Sequence, residues 1–278
     1  MNLSIYTTFE NLHKAERWAN RLGLPLISVG NVSIDNASTT NESSKHISNH
    51  VSAYVDEIPA GELHLWVDEE GLSLRQDQLA LRGDFTRMEK RLKPSNLSRE
   101  LLVKASRIKD EASPILLDAT AGLGEDSLLL AAAGFRVHLY EYNPIIAALL
   151  QDSMERALLI PELADAVNHM TLHVGDSVEA MREPLEHIGV IPDVVLLDPM
   201  FPERQKSALV KKKFQLLQQL EAPCSTEKEL LDGAFSSGAA KVVIKRPVKG
   251  PYLAEKKPGY SVSGKAVRYD CIAIPRKK

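Results

Sequence analysis

The segment LLDPMFPERQKSALVKKK, residues 196–213, carries the most specific chemistry in the chain. Asp198 ends an apolar run, Pro199 and Pro202 flank Met200 and Phe201, and a basic stretch follows. Such a loop presents one carboxylate, the carbonyls near Pro199 and one ring. The exocyclic amine of a nucleobase is planar and weakly nucleophilic, because its lone pair is delocalised into the ring. Asp198 and a loop carbonyl can accept its two protons and turn the nitrogen toward a donor methyl, while Phe201 stacks on the base. Acceleration would then come from positioning and electrostatics, with no nucleophile on the protein. Without that chemistry the same residues are a proline-stiffened loop.

Three other acidic positions fall at the ends of apolar runs. DATAGLGED, residues 118–126, places Asp118 before Gly122 and Gly124, which let the backbone turn tightly and approach a ligand. Asp126 or Ser127 is expected to cap a helix over 127–133. The full G-x-G-x-x-G fingerprint is missing, and Glu125 puts negative charge where a pyrophosphate would lie, which disfavours a dinucleotide. Taken alone, this loop reads equally as a plain turn. Glu141, in LYEYNP, stands 23 positions after Asp118, where a carboxylate can accept from both ribose hydroxyls of an adenosine ligand. Asn143 and Pro144 supply a cap and a first-turn proline for the next helix. In GDS, residues 175–177, Asp176 can accept from an adenine amine, or Asp176 and Ser177 can simply cap the following helix.

These positions need a frame that brings strand ends together. ILLDAT (115–120), RVHLYE (136–141), TLHVGD (171–176), DVVLLDP (193–199) and KVVIKRP (241–247) alternate with amphipathic helical runs. That pattern predicts a parallel sheet with helices on both faces, with ligands at the carboxyl ends of its strands. Residues 260–275 have period-two character and predict an edge hairpin. Residues 1–85 read as a small α+β lobe with a helix over 11–22, a strand at 26–29, a Ser/Asn-rich loop at 33–50 and a hairpin from Leu63 to Arg75. Residues 86–278 make the larger α/β domain.

Composition sets outer limits. The 278 residues are 44% hydrophobic and 26% charged, which argues against disorder and fibrous repeats. The net charge of -3 excludes a uniformly basic nucleic-acid binder. It conceals a split: residues 1–202 hold 17 basic and 30 acidic side chains, whereas residues 203–278 hold 17 basic and 7 acidic. A polyanionic partner along one side is therefore compatible, and a second basic stretch at 82–109 has 9 cations against 3 anions. Cys224 and Cys271 are too few for a disulfide framework or zinc cluster, so no metal is expected and a reducing cytoplasm fits. The start lacks a signal-peptide pattern, and no apolar run is long enough to span a membrane.

DATAGLGEDSLLLAAAGFRV, YEYNPIIAALL, LLDPMFPERQKSALVKK and VVIKRP together resemble the small-subunit (16S) ribosomal RNA methyltransferase J family. The resemblance is close from about Asp84 to Pro247 and looser in the hairpin. It implies a Rossmann-like class I fold that uses S-adenosylmethionine to methylate the N2 amine of a guanine in 16S rRNA, within the small ribosomal subunit. Matched motif positions put cofactor contacts on Glu125, Asp126, Glu141, Tyr142, Asp176, Ser177 and Asp198, with the cofactor lying over Asp118, Gly122 and Gly124. Arg204, Lys206, Lys211, Lys212 and Lys213 would hold RNA phosphates, assisted by Lys245 and Arg246. Family members carry Arg at the positions of Glu125 and Tyr142, so each departure removes a positive charge beside the cofactor. The alternatives are an amino-methyltransferase for adenine N6 or cytosine N4 in DNA or another RNA, a nicotinamide oxidoreductase, and a non-catalytic RNA-binding assembly factor.

Overall fold

The computed structural model describes residues 3–30, 51–109, 111–199, 215–217, 219–220 and 225–275. They fall into two units that meet in sequence between Gly83 and Asp84. Residues 215–217, 219 and 220 group with the first unit, and residues 225–275 with the second.

The first unit is a six-stranded sheet in the order β3-β2-β1-β4-β5-β6. Its strands are β1 (Ile5–Thr7), β2 (Leu26–Val29), β3 (Ala53–Val55), β4 (His64–Asp68), β5 (Gly71–Gln76) and β6 (Leu79–Leu81). β1 is parallel to β2 and β4, while β4, β5 and β6 form an antiparallel meander. Helix α1 (Leu12–Leu22) links β1 to β2 and buries Leu12, Ala15, Trp18 and Ala19, the spacing of one helical face. Gly23 closes it in the left-handed region. In the expected hairpin Leu65 lies opposite Leu74 and Val67 opposite Leu72, so both arms turn their leucines and valine into one core. β1, β3 and β6, three residues each, are too short to show a pattern in sequence. The Ser/Asn-rich loop expected at 33–50 lies outside the described residues.

The second unit holds a seven-stranded sheet in the order β12-β13-β11-β10-β7-β8-β9. β7 (Ile115–Asp118), β8 (Arg136–Glu141), β9 (Met170–Val174), β10 (Val194–Leu197) and β11 (Lys241–Pro247) are mutually parallel. β12 (Tyr260–Ser263) and β13 (Val267–Ala273) form the expected hairpin, and β13 joins β11 antiparallel. The helices are α2 (Leu101–Ser106), α3 (Glu125–Ala132), α4 (Pro144–Ala157), α5 (Pro161–Val167), α6 (Ser177–Arg182) and α7 (Glu227–Ser236). Successive side chains on a strand face opposite ways, so the two faces build two cores. Leu116, Leu139, Leu196 and Val243 join one with Leu128, Leu129 and Leu150. Leu117, Tyr140, Val195, Leu197, Val242 and Ile244 join the other with Val178, Met181, Leu230 and Leu231. Both faces are covered, as long apolar strands require.

The chain runs from β7 outward through β8 and β9, then returns to the other side of β7 for β10 and β11. The strand order therefore switches between β7 and β10, and a crevice opens beyond their carboxyl ends.

Candidate functional site

The loop between β7 and α3 forms one wall of that crevice. Gly122 (φ +54°) and Gly124 (φ +77°) both sit in the left-handed region. Gly124 is required twice over, because a Cβ there would lie 2.5 Å from Leu150 Cδ1 and 3.3 Å from Phe85 Cζ. That close packing makes Gly124 the N-cap of α3, so Glu125 and Asp126 occupy the first helical turn. The expected cap at Asp126 or Ser127 is thus corrected: Ser127 lies inside the helix, and its hydroxyl donates to Asp118 Oδ2 (2.6 Å).

Asp118 itself is 2% exposed. Besides Ser127 it accepts the Thr120 N–H (3.1 Å) and so shapes the loop from below. Burial pushes its carboxyl up to about 7, against the pull of Ser127 and Thr120. The expectation that Asp118 contacts a ligand directly is corrected, because its side chain is closed off by its own loop.

Glu141 ends β8 with its orientation set by backbone. Gly122 N–H donates to Oε2 (2.9 Å) and Asn143 N–H to Oε1 (2.8 Å). The carboxylate therefore locks the glycine loop while standing partly exposed where an adenosine ribose needs an acceptor. Asn143 caps α4 through the Ile145 and Ile146 N–H groups, with Pro144 in the first turn, as its sequence predicts. Tyr142, between them, is 51% exposed and Glu125 is exposed, so both are open to a ligand. Asp176 is partly exposed and caps α6 by accepting from Val178 N–H (2.8 Å). Ser177 is buried, which corrects its expected ligand contact.

Asp198 follows β10 on the opposite wall. Its N–H donates to Thr120 Oγ1 (2.6 Å), a bond that spans the switch point and fixes this loop against the glycine loop. Its carboxylate pairs with Lys245 Nζ (2.9 Å), which also reaches Asp126 (2.6 Å). Burial raises the Asp198 carboxyl, and Lys245 pulls it back. Burial alone would lower the Lys245 ammonium, but Asp126 and Asp198 outweigh it and hold it well above its ordinary range. Thr120 and Lys245 are the groups that sequence reasoning missed or placed elsewhere.

The phosphate-holding role expected for Lys245 and Arg246 is corrected. Lys245 is committed to two carboxylates. Arg246 is 1% exposed, donates to the Pro251 carbonyl and Glu227, and belongs to the interior. In the basic stretch, Arg82, Arg87 and Arg91 are paired with acidic neighbours, whereas Lys90, Lys93, Arg99, Lys104, Arg107 and Lys109 are exposed. Met200, Phe201, Arg204, Lys206, Lys211, Lys212 and Lys213 lie outside the described residues, and Pro199 is partly exposed at the edge of them. Among the described residues there is no cluster of three metal-ligating side chains, and no helix is long and apolar enough to cross a membrane.

Known proteins share this arrangement. SAM_MT, a family of SAM-dependent methyltransferases, matches residues 52–274. The ribosomal RNA small subunit methyltransferase J of Pseudomonas aeruginosa strain UCBPP-PA14 is 39% identical over 262 residues, covering 92% of this chain and 88% of that protein. Its namesake in Neisseria meningitidis serogroup C is 38% identical over 218 residues, covering 78% of this chain and 86% of that protein. A crystal structure of a SAM-dependent methyltransferase from Neisseria gonorrhoeae matches with a TM-score of 0.62 at 28% identity, covering 89% of this chain and 95% of that one.

Proposed function

The chain belongs to the ribosomal RNA small subunit methyltransferase J family, and from that premise we propose that it methylates the exocyclic N2 of a guanine in 16S rRNA. The observation that carries this reading is Asp198, a carboxylate fixed at the switch point by Thr120 and Lys245. S-adenosylmethionine, when bound, supplies an electrophilic methyl group on a sulfonium.

The residues present fit that cofactor. Its sulfonium is cationic, and Asp126, Asp176 and Asp198 surround the crevice with carboxylates that would repel a pyrophosphate. Gly122 and Gly124 N–H groups donate to Glu141 and to the Ala121 carbonyl, so neither is free to bind a dinucleotide phosphate. Glu141 would accept from the ribose, Asp176 from the adenine amine, and Tyr142 would cover the adenine with its exposed ring. Glu125 and Asp126 would line the same pocket from the first turn of α3.

The chain's own task is then placement. The Asp198 carboxylate and the carbonyl side of Pro199 accept the two protons of the guanine N2 amine and hold the nitrogen in line with the methyl. Met200 and Phe201 keep their sequence-based assignment beside the base, which must be extruded from its stack to reach the crevice. The RNA backbone would be held by Arg204, Lys206, Lys211, Lys212 and Lys213, together with the exposed cations from Lys90 to Lys109.

Calorimetry and turnover test the reading together. S-adenosylmethionine should bind and NAD should not. Asp198→Ala should retain cofactor binding yet lose about 100-fold or more of its methyl transfer on small ribosomal subunits, the scale seen when one positioned polar group is removed. Normal turnover by that variant would overturn the mechanism.

A further inference from the structure

We infer that Lys245 is a positioning residue for Asp198, tying its carboxylate to Asp126 at the start of α3 and keeping it ionised in a half-buried site. The inference rests on the proposed reading of Asp198 as the group that orients the amine.

The geometry is a bridge. One ammonium lies 2.6 Å from Asp126 Oδ2 and 2.9 Å from Asp198 Oδ2, joining the helix after the glycine loop to the loop after β10. Thr120 holds Asp198 by its N–H and Lys245 by its carboxylate, so the residue is fixed at both ends. With Oδ2 occupied by the lysine, Oδ1 is the oxygen directed at a substrate amine.

Charge explains why a cation belongs there. Asp118 on β7, Asp126 on α3 and Asp198 repel one another, and burial penalises each anion. Arg246 on β11 adds a weaker attraction for Asp198, Tyr269 on β13 faces the cluster as a neutral phenol, and Arg91 lies on its outer side. Without Lys245, Asp198 would take up a proton nearer neutral pH. A protonated carboxyl presents a hydrogen toward an amine that needs an acceptor, and orientation fails.

Lys245→Met removes the charge at similar length, and Lys245→Arg keeps it. In cofactor-free protein with carbon-13-labelled aspartate, the Asp198 carboxyl signal is identified by its loss in Asp198→Asn. Its titration midpoint should rise by about one pH unit or more in Lys245→Met and stay near wild type in Lys245→Arg. The acid limb of the single-turnover rate should move up by the same amount, with the rate at neutral pH falling about tenfold or more. Lys245→Gln gives the same comparison if the methionine variant does not fold. An unchanged midpoint and acid limb in the charge-removing variant would overturn the inference. Failure of the underlying reading would show differently, as undiminished turnover by Asp198→Asn.

Discussion

Both units build a mixed sheet, yet their acidic residues serve different ends. In the first unit Asp68 sits in the β4–β5 hairpin and accepts from Arg75 and Arg82, while Glu70 also pairs with Arg82. These are contacts between neighbours on an antiparallel meander, and their charges cancel locally. In the second unit Asp118, Glu141, Asp176 and Asp198 stand at or just beyond the ends of parallel strands. There they hold loop amides and hydroxyls, and in Asp118 and Asp198 burial raises the carboxyl. A parallel sheet sends each strand into a crossing loop, so its carboxyl edge gathers polar groups from distant parts of the sequence. A meander returns each strand to its neighbour and gathers only local ones. Chemistry follows the first arrangement and stability the second.

That contrast is breakable, and Gly124→Ala should do it most strongly. A Cβ at Gly124 meets Leu150 at 2.5 Å and forces an L side chain into the left-handed region. Overpacking and backbone strain together predict a loss of roughly 2–5 kcal/mol. Cofactor binding should be lost with it; urea melts and calorimetry measure the two. Wild-type stability in this variant would mean that the glycine loop is not held as described.

The next largest effect concerns pH. The Asp118 carboxyl, raised to about 7, stays protonated in the folded chain at pH values where the unfolded chain has ionised it. Its contribution to stability is therefore present below the ordinary carboxylate range and disappears as pH rises toward about 7. Asp118→Asn keeps an acceptor for Ser127 or Thr120 but cannot ionise. Relative to wild type the variant should gain stability between about pH 4 and pH 8, and a pH-independent difference in urea melts would contradict the account.

The smallest effect should come from the hairpin. Asp68→Asn loosens a partly exposed pair of arginines and is expected to cost about 1 kcal/mol or less, with methyl transfer unchanged. A large catalytic defect there would erase the distinction between the two units.

Much of this site is legible in sequence because a strand ending in a carboxylate is a local signal. The runs ending at Asp118, Glu141 and Asp198 are apolar almost to their last residue, and Asn143-Pro144 announces its helix. Depth was not legible. Asp118 and Asp198 look alike as strand ends, but Asp118 is sealed under its own loop by Ser127 and Thr120. The start of α3 also escaped, because the cap is a glycine selected by the closeness of Leu150 and Phe85, residues far apart in sequence. Lys245 and Arg246 are the clearest case. As neighbours on one strand they must face opposite ways, so grouping them as one basic pair conflicts with the two-residue period. One reaches the crevice and the other the interior beside Glu227. In the first unit, strands of three residues leave no period to read, so half of that sheet appears only in three dimensions.

The central claim is that the edge of the parallel sheet orients an exocyclic guanine amine through Asp198. Incubating small ribosomal subunits with tritiated S-adenosylmethionine, then digesting the 16S rRNA to nucleosides, tests it directly. The account predicts label in N2-methylguanosine with the wild-type chain and its loss with Asp198→Asn. Label in N6-methyladenosine or N4-methylcytidine, or equal labelling by the variant, would contradict it.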